Sequence, residues 1–328
     1  MSTDADVKQD PSQFREDYRK LRDQIGAVIV GQDEIVDLTL AALFAGGNVL
    51  LEGPPGVGKT LLGRTLAGLL SVNYRRIQFT SDLMPADVIG TYVIMEAQGR
   101  RRFEFQQGPI FTNLLLADEI NRATPKTQAA LFEALEEGAL TVANERYSLP
   151  KPFFAIATQS LGDIEGTFPV PETQLDRFSF KLRLASPSDT DLATILQRMT
   201  DPPAAALKPV LDGNRIEQMR TQARQVTVAA DVLKQVVQLV AATHPDNAKA
   251  PDSTRRFVLR GASPRGGQAM LLAAKVLALV DGRTQVSRED LRRVALPALR
   301  HRVSLNFEGH AQEAGIDGII NEILDAVK

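Results

Sequence analysis

A chain of 328 residues with 44% apolar content is long enough for about two domains and a sizeable core, and its net charge of −2 excludes a global basic field for nucleic acid, though not a local patch. The absence of cysteine removes disulfides, thiolate metal sites and cysteine nucleophiles, and fits a reducing compartment. The longest apolar run, residues 269–280, is too short for a membrane span and carries Lys275, and the first ten residues are polar and acidic rather than leader-like, so a cytoplasmic location is expected.

Residues 1–12 read as a disordered tail. Phe14, Tyr18, Leu21, Ile25 and Val28 recur at helical spacing and predict a helix over 14–29. After a turn at Val30-Gly31-Gln32, Asp33 is placed to cap a second helix through Phe44, stopped at Gly46-Gly47. Residues 48–52 form an apolar run of the kind found in buried parallel strands, and Leu61, Leu62, Thr65, Leu66 and Leu69 then repeat with helical period.

Between that strand and that helix lies Gly53-Pro54-Pro55-Gly56-Val57-Gly58-Lys59-Thr60, which fits the G-x-x-x-x-G-K-[ST] phosphate loop. Glycines let the backbone turn tightly and approach a polyphosphate, and successive N–H groups at a helix start form an anion nest. Lys59 is the candidate cation for the β- and γ-phosphates, and the Thr60 hydroxyl the candidate ligand for Mg²⁺. Strand, glycine loop and helix together are the context the motif requires, so the chain is expected to bind ATP through residues 53–61, from Gly53 to Leu61.

Further on, residues 75–80 read as a strand, 81–90 as a loop or short helix, and 91–105 as a hairpin turning at Ala97-Gln98-Gly99. Arg100, Arg101 and Arg102 at its tip are either a solvated charged end or a contact to a partner. Residues 113–119 are an apolar strand ending in Asp118-Glu119, which places two carboxylates at the carboxyl edge of a parallel sheet, where ligands bind in open α/β folds. Asp118 is the candidate for the Mg²⁺ shell through water, and Glu119 for polarising the attacking water. A helix over 124–137, a strand over 152–158 ending in Gln159 and Ser160, and an alternating strand over 178–184 complete a five-stranded α/β pattern.

Residues 201–206 look like a linker, after which the pattern turns helical. Asp231 is placed to cap one helix, residues 268–280 form another, and Ser287–Asp290 resemble a capping box for a third, which Pro297 should kink or end. His244, His301 and His310 have no metal-ligand spacing and read as surface or packing residues.

With these parts in place the chain resembles an AAA+ ATPase, and more narrowly the MoxR family. The matching stretches include residues 30–32, 78–90, 116–128, 165–169, 175–178 and 261–265. The resemblance implies an AAA+ αβα sandwich with a five-stranded parallel sheet and a small all-helical lid. Its expected divisions are a tail over 1–12, a core over 13–190 with an inserted hairpin at 91–105, a linker over 191–210 and the lid over 211–328. It implies that Val30, Gly31 and Gln32 line the adenine site, that Arg177 is an arginine finger for a neighbouring subunit, and that Arg265 is the lid's sensor 2. It also implies a hexameric ring. One position departs from the family pattern: Ser160 stands where a sensor 1 asparagine is usual, which predicts slow basal turnover unless Gln159 or a water substitutes.

The expected function is that of an ATP-hydrolysing, Mg²⁺-dependent, chaperone-like remodeller of a protein client, partnered by a protein with a von Willebrand factor A domain, in complex assembly or metal insertion. Two other readings are a nucleic-acid-stimulated motor, supported only by Arg100–Arg102, and an ATP-gated scaffold that does not hydrolyse, suggested by Ser160.

Overall fold

The computed structural model describes residues 11–97, 100–160, 166–200 and 207–327. Residues 1–10 of the expected tail over 1–12, the turn residues Gln98 and Gly99, and the linker at 201–206 lie outside the described residues. Two helices lead, α1 (Pro11–Gly26) and α2 (Asp33–Ala45), followed by β1 (Val49–Gly53), α3 (Lys59–Leu69), β2 (Leu70–Ser71) and β3 (Tyr74–Gln78). A short α4 (Pro85–Ile89) opens into the hairpin β4 (Gly90–Ala97) and β5 (Arg100–Gln107). Then come β6 (Leu114–Asp118), α5 (Pro125–Glu137), a second hairpin of β7 (Ala139–Val142) and β8 (Glu145–Ser148), and β9 (Phe154–Ser160). The remainder comprises α6 (Glu172–Leu175), β10 (Phe180–Arg183), α7 (Asp189–Thr200), β11 (Leu211–Asp212), α8 (Gly213–Arg224), α9 (Ala230–Ala242), α10 (Asp252–Phe257), β12 (Val258–Arg260), α11 (Pro264–Val280), α12 (Arg288–Leu299), β13 (Ser304–Leu305), α13 (Phe307–Ala311) and α14 (Ile316–Ala326).

Five parallel strands form the central sheet in the order β10-β1-β9-β6-β3. Side chains alternate across a strand, and here both faces are buried. Val49 and Leu51, Leu114 and Leu116, and Phe154 and Ile156 face a cluster shared with α1, α2 and α3. Leu50, Leu115, Ala117, Ala155 and Ala157 face the opposite cluster with Phe79, Val88, Leu131 and Phe132. The first cluster continues without a break into Met270, Leu277, Leu291 and Ile320 of the C-terminal helices, so those helices pack on the α2 side of the sheet. This is the αβα sandwich with a lid.

Several local expectations change. Pro11 and Ser12 belong to α1 rather than to a tail. Gln32, not Asp33, is the residue preceding α2, and Ala229, not Asp231, precedes α9; neither makes a side-chain cap. Pro297 lies inside α12, which runs on to Leu299: it sits in the last turn, where a missing N–H and a ring disturb little that follows. The lid is not purely helical, because β12 and β13 pair antiparallel, and β11 pairs parallel with β2 at the far end of α3.

Candidate functional site

The phosphate loop leaves the carboxyl end of β1 and closes onto α3. Gly56 and Gly58 have φ of +81° and +94°, and a Cβ on either would meet no atom within 4 Å. Glycine is therefore required for backbone conformation, and the space on that side of the loop is open. Gly53 is constrained differently: a Cβ there would stand 2.6 Å from the Leu184 carbonyl. Lys59 is buried, and its ammonium donates to the carbonyls of Gly53 and Pro54, the latter at 2.8 Å. Burial holds its pKa below the ordinary lysine value, with Glu119, Asp118 and Glu52 pulling the other way.

Beside it, the Thr60 hydroxyl lies 3.2 and 3.1 Å from the two Asp118 carboxylate oxygens. Asp118 also accepts from the Thr158 hydroxyl at 2.6 Å and from the Arg76 guanidinium at 2.7 and 3.1 Å. A hydroxyl and a buried carboxylate side by side are oxygen donors suited to a hard cation that takes its remaining ligands from water and phosphate. Among the described residues no group of three or more His, Cys, Asp or Glu could hold a metal unaided.

Glu119 follows directly and adopts φ +58°, a left-handed conformation that costs a non-glycine residue roughly 1 kcal/mol. Its N–H donates to the Thr158 hydroxyl at 2.9 Å, and its Oε2 accepts from Gln78 at 3.2 Å and pairs with Arg122 at 2.7 Å. Strain of this kind, held by several bonds, is typical of functional positions. The strand β3 thus contributes two residues on one face, Arg76 to the first acid and Gln78 to the second, and the two side chains bond each other.

Ser160 ends β9, in register with Gly53. Gln159, the expected substitute for the missing asparagine, is already engaged: its amide donates to Glu52 at 2.6 Å. Glu52, buried just before the loop, also pairs with Lys181 at 2.6 Å and Arg183 at 3.0 Å. Burial raises its pKa, but Lys181, Gln159 and Arg183 outweigh it and keep the group ionised. Arg183 extends the chain of charge to Asp317 of α14.

Val30, Gly31 and Gln32 precede α2, and the last two lie against the stretch from Ala185 to Asp191 that opens α7. Gly31 has φ +69° and closely approaches the Asp191 side chain, while Gln32 donates to the Ala185 carbonyl at 3.2 Å.

Arg177 and Arg265 converge with one another and not with Lys59. Both pair with Glu136 near the end of α5, and Arg177 also donates to the Thr173 carbonyl at 2.8 Å. They border a cavity of about 280 Å³ with Gly46, Gly47 and Asn48, the residues that precede β1. The pair therefore lies at the amino edge of the sheet, and the phosphate loop at its carboxyl edge, separated by a five-residue strand of roughly 15 Å.

Sequence reasoning missed Arg76, Gln78, Arg122, Glu52, Thr158 and Glu136. Strand register brings Arg76, Gln78, Glu52 and Thr158 to the loop side, the turn after Glu119 brings Arg122, and α5 carries Glu136 to the arginine pair.

Comparison with known proteins agrees with this architecture. The sequence profile of the ATPase family associated with various cellular activities (AAA) matches residues 48–180, and that of the AAA lid domain matches 253–323. The chain is 40% identical to an uncharacterised Bacillus subtilis protein, YeaC, over 94% of this chain and 93% of that protein. It is 38% identical to Chaperone MoxR1 of Mycobacterium tuberculosis over 93% of this chain and 80% of that protein. A crystal structure of a proposed ATPase from Cytophaga hutchinsonii superposes with a TM-score of 0.88 at 34% identity, covering 97% of this chain and 96% of that one. Phosphate loop, acidic strand end, lid and relatives agree: the chain belongs to the MoxR family of AAA+ ATPases.

Proposed function

We propose that this ATPase hydrolyses Mg²⁺-bound ATP at a site completed by a second copy of the chain, and uses the cycle to remodel a protein client. The observation that carries the reading is the division of candidate groups between two edges of one sheet. Lys59, Thr60, Asp118 and Glu119 gather at the carboxyl edge, while Arg177 and Arg265 face outward at the other. Two cations suited to stabilising phosphoryl transfer serve best if they meet a neighbour's phosphate, as in a closed ring. A hexamer is the assembly proposed.

In this reading the backbone of residues 53–60 cradles the phosphates. Lys59 exchanges two loop carbonyls for phosphate oxygens, and Val30–Gln32 flank the base. Thr60 and Asp118 would hold Mg²⁺, the latter through water, and the ion would supply positive charge against the phosphates. Glu119 orients and deprotonates the attacking water, and Ser160 stands beside the loop in the sensor position. Glu119→Gln should bind ATP with near-normal affinity and lose phosphate release by roughly 10²–10⁴-fold; ordinary turnover in this variant would refute Glu119 as the base.

The client and an accompanying von Willebrand factor A domain protein belong to the same proposal, with complex assembly or metal insertion as the task. Glu119→Gln, stalled with ATP bound, should retain such a partner only when ATP is present. A nucleic-acid motor is less well supported, because Arg101 and Arg102 are paired with Glu96 and Glu104 on the same hairpin. The scaffold reading predicts no phosphate release at all, and release abolished by Arg177→Ala would exclude it.

A further inference from the structure

Arg177 and Arg265 share a single acceptor. The Arg177 guanidinium donates to Glu136 Oε2 through Nε at 2.9 Å and again through a terminal nitrogen, and Arg265 donates to Oε1. The neighbouring carboxylate, Asp176, is committed elsewhere: it pairs with Arg302 at 2.7 Å and accepts from the Ser263 hydroxyl at 2.9 and 3.0 Å, leaving Arg265 at 4.0 Å. Glu136 is held ionised, its pKa lowered first by Arg265 and then by Arg177. A carboxylate bracketed by two guanidinium forks occupies the geometry that phosphate oxygens would take.

We propose that Glu136 is a positioning residue which keeps Arg177 and Arg265 side by side at the chain surface and yields them to the phosphates of a nucleotide bound in a second copy of this chain. The exchange is favourable because a partly exposed ion pair is weak and a polyphosphate carries more charge and more acceptors than one carboxylate. Glu136 therefore sets a threshold. Below it, the arginines remain on their own chain; above it, a correctly docked phosphate takes both together. The inference rests on the reading that Arg177 serves a neighbouring copy.

The test is phosphate release as a function of protein concentration for the wild type, Glu136→Gln, Arg177→Ala and the double variant. Glu136→Gln should reach half its maximal specific rate at about fivefold lower protein concentration, since the competing carboxylate is gone. The double variant should be as inactive as Arg177→Ala. A midpoint for Glu136→Gln equal to or above that of the wild type, in a variant with an unchanged melting temperature, overturns the role of Glu136 alone. A gain that persists in the double variant overturns it as well. Arg177→Ala with wild-type activity overturns the underlying reading instead. Should Glu136→Gln melt early, Glu136→Asp, with the charge withdrawn by one methylene, carries the same test and should shift the midpoint in the same direction by less.

Discussion

At the scale of single residues, the site is governed by what each polar group already holds. Ser160 stands where the family resemblance expects an asparagine, and Gln159 cannot replace it while its amide donates to Glu52. Ser160→Asn should therefore raise the steady-state hydrolysis rate severalfold, with little change in ATP affinity; an unchanged rate would show that position 160 does not limit turnover. Lys59, Thr60, Asp118 and Glu119 were legible in the sequence because their chemistry is written into contiguous motifs. Arg76, Gln78 and Arg122 were not. In a linear reading, Arg76 and Gln78 are polar residues on a short strand, and only the pairing of Gln78 with Asp118 across β3 and β6 turns them toward the two acids.

At the scale of elements, hairpins and caps divide the legible from the hidden. The hairpin β4–β5 was visible as two alternating runs. The hairpin β7–β8 was not: its two-residue turn places Ala143 and Asn144 at φ +49° and +68°, and alanine is a poor advertisement for such a turn. The two hairpins meet through tilted rings, with Phe105 of β5 centred 4.4 Å from Tyr147 of β8, while Tyr92 of β4 packs on Phe105 at 5.4 Å. The capping box of α12 was readable, but its strength was not. Asp290 accepts from the Ser287 N–H at 2.8 Å and from both terminal nitrogens of Arg283 at 2.7 Å. Burial raises the Asp290 pKa, but Arg283 and Ser287 more than reverse this, so the net shift is downward. Its stabilisation is present above the ordinary carboxylate range and is lost as pH falls through the lowered folded value. Asp290→Asn should cost about 2–3 kcal/mol in urea unfolding at neutral pH, and the difference from the wild type should shrink in acid. A pH-independent difference would mean that shape, not charge, is what Asp290 supplies.

At the scale of the whole molecule, the lid and the core share one apolar cluster, whereas the two sets of candidate catalytic groups are on opposite edges. Coarse periodicity was enough to anticipate the sheet and the helical C-terminal region. The relation of Arg265 to Arg177 was not, since it depends on where the lid packs. Lys59→Ala and Arg177→Ala should each be inactive alone. If the arginine acts on a neighbour, mixing the two should restore part of the activity, because some junctions then join an intact loop to an intact arginine. Persistent inactivity after mixing, with rings demonstrably exchanging subunits, would place the arginine's action within its own chain.

The two-residue ladder between β2 and β11 has a mechanical consequence. The helix α3 begins at Lys59 and ends at Leu69, and β2 follows at once, its ladder passing directly to β11 and α8. An eleven-residue helix is a stiff rod of roughly 16 Å. A tilt of its first turn, were phosphate to draw Lys59 off the loop carbonyls, would move its last turn as well. There the hydrogen bonds of Leu70 and Ser71 grip the chain entering the next helix. The loop proposed to hold phosphate and the chain that enters the C-terminal helices are thus joined to opposite ends of one helix.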